Sequence, residues 1–299
     1  MLARIQQTIV LIIACAALVA WTVGAQTGRG WLGAAVIAIA IVGYLSAIAF
    51  EFLLLRRAYA PLDRERPGIA DLVRAWTQEV SVAPRVFLWN QPFRSAREPD
   101  HLPALARGRR GVVLVHGFFC NRGLWNPWLR RFRAADIPFV AVNLEPVLGS
   151  IDDYGATIAA AVATVEAATG EPPLVVAHSM GGLAVRAWLA ATPDARVHRL
   201  VTIATPHAGT RLARHARGAN AAQMREGSAW LAALAKSHDV AARVPVLCFW
   251  SRCDNIVFPT RNATLPGADN RELMGAPHVA MVFHPAVIDE VVRLTATSA

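Results

Sequence analysis

The run Leu174-Val175-Val176-Ala177-His178-Ser179-Met180-Gly181-Gly182 places a serine where an apolar strand ends and an apolar helix, Leu183 to Ala191, begins. A sharp turn at that point lifts a serine hydroxyl clear of the sheet and presents it as a nucleophile. Strand and helix backbones approach closely at such a turn, so its flanks must be small. Ala177 and Gly181, two residues either side of Ser179, meet that demand. A helix N-cap is the plainer reading of the same serine; the strand before it and the helix after it favour the nucleophile.

A serine hydroxyl stays protonated near neutral pH. It needs a base to take the proton, an acid to orient that base, and donors for the developing oxyanion. The apolar strand Pro245 to Trp250 runs into Ser251-Arg252-Cys253-Asp254, which sets Asp254 in the loop just past a strand end. Gly275-Ala276-Pro277-His278 then presents a histidine in a loop before the last helix. Ser179, Asp254 and His278 form a coherent candidate triad. Asp269 and Glu272 compete as the acid but sit in a polar stretch with no preceding strand. His284, directly before Pro285, is the alternative base. His178 adjoins the serine and reads as a packing or hydrogen-bonding neighbour, and His116 as a brace. His101, His198, His215 and His238 lie in polar or helical surface contexts. The oxyanion donors are expected from two backbone amides. One is Met180; the other is Phe118, in Gly111-Val112-Val113-Leu114-Val115-His116-Gly117-Phe118-Phe119, where Gly117 permits the turn that aims the amide inward.

Ala-His-Ser-Met-Gly-Gly, the His-Gly-Phe loop and Thr205-Pro206-His207-Ala208-Gly209-Thr210 together resemble the bacterial lipase and esterase branch of the α/β-hydrolase superfamily. The stretch Asn220 to Leu234 is similar to the segment after the Thr-Pro-His motif in those enzymes. Ala177 replaces the usual first elbow glycine, as it does in some small bacterial lipases. The resemblance covers about Gly111 to Thr295. It implies ester hydrolysis by an acyl-enzyme route, with Ser179, Asp254 and His278 as the triad and the Phe118 and Met180 amides as the oxyanion hole. It implies no metal or organic cofactor and chooses no substrate beyond an ester or lipid.

The N-terminal region has no counterpart in the secreted lipases. Thr8 to Ala25 and Gly30 to Phe50 carry no charge, and only Gln26-Thr27-Gly28-Arg29 separates them. About twenty apolar residues suffice to cross a bilayer as a helix, so residues 8–55 predict a transmembrane hairpin. A secretory signal, or a lipoprotein signal ending at Cys15, is the alternative for the first segment; a second uncharged segment directly after it disfavours that reading. Arg4 before the first span and Arg56, Arg57, Arg64 and Arg66 after the second outweigh Arg29 in the turn. This bias places both ends, and the hydrolase, on the cytoplasmic side of a bacterial inner membrane.

The net charge of +9 comes almost wholly from arginine. Arg107-Gly108-Arg109-Arg110 and Arg130-Arg131-Phe132-Arg133 accompany no nucleic-acid fold motif, so no nucleic acid is expected. A tethered domain facing anionic headgroups accounts for the charge, as does an ordinary solvated basic surface. Cys120, Cys248 and Cys253 form no metal-type set. They leave a Cys248–Cys253 bridge, a Cys120–Cys253 bridge and free thiols all open. Oligomeric state is not readable.

The chain divides into an anchor (1–57), a connector with an amphipathic helix over Ile69 to Val80 (58–110), and a catalytic domain (111–299). In the connector, Arg85 to Trp89 is expected as an added edge strand. From Gly111, strands Val112–Val115, Phe139–Leu144, Leu174–His178, Leu200–Ala204 and Val246–Trp250 alternate with helices Leu124–Ala135, Asp152–Thr169 and Pro285–Thr295. Such alternation predicts an α/β fold with a mostly parallel sheet covered on both faces. Residues 210–243 are placed as a cap, with Met224, Trp230, Leu231 and Leu234 as candidate acyl-pocket residues or as ordinary packing. Acyl transfer on the same triad and non-catalytic binding of an acyl chain or partner are the alternatives to hydrolysis. If the cap is a lid, the rate should rise as a long-chain substrate passes its solubility limit; a rate that tracks monomer concentration alone would reject a lid.

Overall fold

The computed structural model describes residues 1–60, 63, 65–237 and 240–296. Arg64 and His238 lie outside the described residues. The chain opens with two long helices, α1 (Leu2–Gln26) and α2 (Trp31–Ala58), which are long and apolar enough to cross a membrane. They pack side by side, and close contact at the turn requires Gly33: a Cβ there would meet Trp21 at 2.7 Å. Next come α3 (Ile69–Pro84), a π-helical turn (Arg85–Asn90) and the short α4 (Gln91–Arg94).

From here strands and helices alternate. β1 (Val112–Val115), α5 (Asn126–Ala134), β2 (Phe139–Ala141), α6 (Gly155–Thr169), β3 (Leu174–His178), α7 (Met180–Ala191) and β4 (Arg199–Ile203) follow in order. Three short helices, α8 (Ala219–Gln223), α9 (Ala229–Ser237) and α10 (Val240–Arg243), lead to β5 (Val246–Trp250), β6 (Asp269–Glu272) and α11 (Pro285–Thr295). The six strands form one sheet in the order β2-β1-β3-β4-β5-β6, with every pairing parallel.

Successive strand residues face opposite sides, and both sides are covered. Val112, Leu114, Val176 and Val201 pack beneath α5 and α11 with Trp128, Phe132, Val287 and Val291. Val113, Val115, Val175 and Ala177 pack beneath α6 and α7 with Ile158, Val162, Leu183 and Trp188. That two-sided burial is why the strands read as unbroken apolar runs rather than alternating ones. A third core joins the N-terminal helices to the sheet domain. Ile48, Phe52 and Leu55 of α2 meet Leu72, Ala75 and Ala83 of α3, together with Cys253 and Phe258. The Tyr44 hydroxyl donates to the Val80 carbonyl at 3.0 Å, tying α2 to α3.

Several expectations are corrected. Arg85 to Trp89 is not an edge strand; α3 continues through Pro84 into the π-helical turn, with Val86 buried beneath α5 while Leu88 and Trp89 face outward. The outer edge of β2 is instead met by a single antiparallel bridge from His101 to Phe139. The polar stretch around Asp269 forms the edge strand β6. It has no apolar signature because it is exposed. Helices expected at Leu124 and Asp152 begin as 3-10 turns, the second under a capping box formed by Ser150 and Asp153. Within residues 210–243, Leu231 and Leu234 pack into the main core, Trp230 donates its indole N–H to Asp152 at 2.9 Å, and Met224, also in that core, is the one of the four that borders the cavity lined by Ser179. Cys120, Cys248 and Cys253 are buried free thiols, which removes both bridge readings.

The elbow depends on missing side chains. A Cβ on Gly181 would stand 2.5 Å from the His116 carbonyl oxygen and 2.7 Å from that of Val115. Both are backbone atoms that cannot step aside. Gly181→Ala should therefore destabilise the domain by about 1–3 kcal/mol, read as a thermal midpoint several degrees lower. Gly43→Ala, where a methyl meets nothing within 4 Å, should leave the midpoint unchanged; equal midpoints for both variants would contradict this packing.

Candidate active site

Ser179 sits between β3 and α7 with φ 54° and ψ −127°. A non-glycine residue in that region stores about 1–3 kcal/mol of strain. The conformation persists because the Ser179 amide donates to the Ile203 carbonyl at 2.9 Å and the Gly182 amide donates to the Ser179 carbonyl at 3.0 Å. The serine is held at the N-terminus of α7, where unpaired amides favour negative charge. Within the described hydrogen bonds, neither the Met180 nor the Phe118 amide has a backbone acceptor. Gly117 lets their loops meet: a Cβ on it would stand 2.8 Å from the Ser179 Cβ. His116 holds this loop from behind. Its Nδ1 donates to the Gly117 carbonyl at 2.9 Å and its Nε2 accepts from the Leu144 amide at 2.9 Å. Burial pushes its pKa down to about 4, which keeps the ring neutral as that pattern requires.

His278 meets Asp254. Nδ1 lies 2.9 Å and 3.1 Å from the two carboxylate oxygens, and both residues are buried. Asp254 Oδ1 also accepts from the Ile256 and Val257 amides, each at 2.9 Å, so the carboxylate is fixed before the imidazole reaches it. This leaves Nε2 as the second ring nitrogen, and Ser179 and His278 line the same cavity. None of the described hydrogen bonds joins these two side chains, a looseness common before a substrate tightens such a pair.

Two carboxylates missed in the sequence close around the His278 loop. Glu79 of α3 is buried, and its two oxygens accept from the Val279 amide at 2.9 Å and the Ala280 amide at 3.0 Å. Asn255 accepts from the His278 amide at 3.1 Å and donates to Glu51 of α2 at 2.6 Å. Burial lowers the His278 pKa. The attraction and hydrogen bond of Asp254, helped by Glu79 and Glu51, outweigh that penalty and leave it raised above the ordinary value. Burial raises the Glu79 pKa, against the two amides and the His278 charge.

The competing residues lie elsewhere. Asp269 pairs with Arg271 and Glu272 with Arg252 on the exposed edge. His284 caps α11, accepting from the Ala286 amide. His178 is buried with its ring 4.7 Å from that of His278; burial and the neighbouring His278 hold it well below the usual range. His207 is buried with Thr202 at 3.1 Å and the Arg186 guanidinium at 3.4 Å, a pin beneath the Thr-Pro-His turn. His101 and His215 lie near the surface; His101 contacts Asp136 at 3.0 Å. Among the described residues no group of three or more metal-ligating side chains gathers.

The cavity has a volume of about 360 Å³, within the range of small-molecule sites. Its walls come from three parts of the chain: Ile48 of α2, Ala83 of α3 and Phe87 beyond it, and Leu124, Met224 and Val257 of the sheet domain. It is an apolar pocket whose lining includes one serine, two imidazoles (His178 and His278) and two carboxylates (Glu51 and Glu79).

Because Asp254, with smaller help from Glu79 and Glu51, favours protonated His278, its neutral form is reached only above the ordinary histidine value of about 6.5. The rate of covalent labelling of Ser179 should therefore rise with pH on a limb displaced upward. Glu79→Gln removes the contribution that ionised Glu79 makes to holding the His278 proton and should shift that limb to lower pH. A purely structural Glu79 would lower the labelling rate without moving the limb.

A family model described as alpha/beta hydrolase fold matches residues 111–278. No curated protein sequence matches the chain. Among solved structures, the chain is similar to the mature form of Bacillus licheniformis lipase BlEst2, with a TM-score of 0.57 and 18% identity over 67% of this chain and 96% of that one. It is also similar to Aspergillus fumigatus lipase B, with a TM-score of 0.54 and 20% identity over 67% of this chain and 56% of that one. At these identities the likeness is one of fold.

Proposed function

The chain belongs to the alpha/beta hydrolase fold family, and on that premise we propose that it is a membrane-anchored serine hydrolase cleaving carboxylic esters, in particular lipid esters. The observation that carries this reading is the buried Asp254–His278 contact, 2.9 Å long, facing the same apolar cavity as a serine on a strained turn. In the proposed mechanism, His278 Nε2 takes the Ser179 proton as Oγ attacks the ester carbonyl carbon. The Met180 and Phe118 amides stabilise the resulting oxyanion. The tetrahedral intermediate collapses by breaking the bond to the alcohol, which leaves with the proton from His278. Water then adds to the acyl-serine by the same route, releasing the acid and restoring the hydroxyl. Asp254 keeps the imidazole in one tautomer and offsets its charge when protonated.

The apolar helices α1 and α2 support the anchor. Arg4, Arg56 and Arg57 at their outer ends support a hydrolase on the cytoplasmic side.

With the full-length chain in an uncharged detergent, p-nitrophenyl esters from C2 to C16 should be turned over, and Ser179 should react with a fluorophosphonate. Ser179→Ala and His278→Ala should each lose on the order of 10⁴-fold or more in kcat, while His284→Ala retains activity. Turnover persisting in Ser179→Ala would reject the serine mechanism.

A further inference from the structure

Three observations bear on what occupies the pocket. First, α2 supplies part of its wall: Tyr44, Ile48 and Glu51 line the same cavity as Ser179 and His278. Second, a separate groove opens at the C-terminal end of α2, between Leu54, Arg57 and Ala58 on one side and Arg211, Leu212, Arg214 and His215 on the other. Leu212 lines both the groove and the cavity. The 3-10 turn Arg211–His215 thus turns Leu212 and Ala213 toward the cavity and contributes cations to the groove. Arg211 pairs with Glu226 at 3.0 Å, while among the described residues Arg57 and Arg214 have no carboxylate partner. Third, the outward face of α2 remains apolar and exposed at Phe50 and Leu53, and the segment after α3, which packs against α1, exposes Leu88, Trp89 and Phe93. An aromatic cluster of this kind, with Arg94 stacked on Trp89, suits a membrane interface.

These features are ordered along one helix. From Arg57, Ile48 lies about 14 Å away and Tyr44 about 20 Å away at the α-helical rise. The polarity therefore runs from cationic at Arg57, through Glu51 and the catalytic pair, to apolar at Tyr44. A glycerolipid has the same order and scale: anionic phosphate, ester, acyl chain. An ionisable residue inside an apolar span that faces the protein interior, as Glu51 does, commonly marks a substrate path.

We propose that the substrate is a membrane-resident lipid ester with a phosphate-bearing headgroup, lying along α2 with its acyl chain in the cavity and its phosphate in the Arg57–Arg211–Arg214 groove. The anchor helix is then part of the binding site, and the lipid enters sideways from the leaflet. This rests on the serine-hydrolase reading given above.

The test uses the full-length chain in uncharged maltoside micelles and two substrates with the same oleoyl chain and a single ester: oleoyl lysophosphatidylglycerol and monooleoylglycerol. The wild type should prefer the phosphate-bearing lipid. Arg57→Gln combined with Arg214→Gln should cut that preference about tenfold or more, through KM. Ile48→Trp should lower oleoyl hydrolysis far more than acetyl hydrolysis, and Phe50→Trp, on the outward face, should change neither. Equal turnover of the two lipids, insensitive to both arginines, would overturn the headgroup assignment. Inhibition by soluble glycerol phosphate matching the lipid's own apparent affinity would also overturn it, by making the groove a site for free phosphate. An unchanged chain-length profile in Ile48→Trp would overturn the role of α2. A chain whose Ser179 takes no fluorophosphonate would instead reject the hydrolase reading itself.

As a second readout, an alkyl fluorophosphonate bearing a terminal diazirine, once on Ser179, should crosslink to residues 44–51. Crosslinks confined to residues 212–224 would place the chain in the cap instead and reject the proposed path.

Discussion

The contact between Asp254 and His278 is the interaction on which the rest of the arrangement depends. It is buried, and almost every element near it contributes a hydrogen bond to one partner or to the loop that carries it. Asp254 is fixed by the Ile256 and Val257 amides at the end of β5. The His278 loop is fixed by Asn255, by Glu79 from α3 and, through Asn255, by Glu51 from α2. Burying this many polar groups is costly unless each finds a partner. Here the partners come from three separate parts of the chain. Removing α2 would leave Asn255 without its acceptor, and removing α3 would leave two amides beside His278 unpaired. The N-terminal helices are in this sense structural members of the site.

The second constraint is steric. Ser179 occupies its strained conformation because β3 and α7 approach the first strand-to-helix loop without intervening side chains. Gly117 and Gly181 lie at the two points of closest approach. The fully buried strands on either side supply the rigidity that keeps a positive φ at a serine. His116, kept neutral by burial, joins the loop to the segment after β2. The loop that presents the Phe118 amide is therefore anchored to the sheet.

Much of this was readable from the sequence, for local reasons. The strand-serine-helix run, the apolar strand ending in Asp254 and the loop bearing His278 are each contiguous segments whose chemistry lies in adjacent residues. The parallel sheet followed from regular alternation of elements. What escaped is non-local or lacks a hydrophobic pattern. Glu79 acts on residues two hundred positions away, and nothing near it in the chain announces that. Glu51 carries a usable signal, a lone acid inside the predicted 8–55 hairpin, but nothing near it in the chain points to Asn255. β6 is exposed and polar, so strand periodicity had nothing to reveal. Arg85 to Trp89 is short and apolar enough for either a strand or a helical turn, and it took the helical form because α3 runs straight into it.

The hydrogen bonds from Tyr44 to Val80 and from Asn255 to Glu51 bear on kinetics as well as on packing. A catalytic domain hung from a flexible linker samples a volume, and its encounters with substrate scale with bulk concentration. A domain bolted to a helix that is itself seated in a bilayer, as proposed for α2, would sample an area. Under the proposed function the governing variable would be the mole fraction of lipid in one leaflet, and dilution of the suspension would leave the turnover per molecule unchanged.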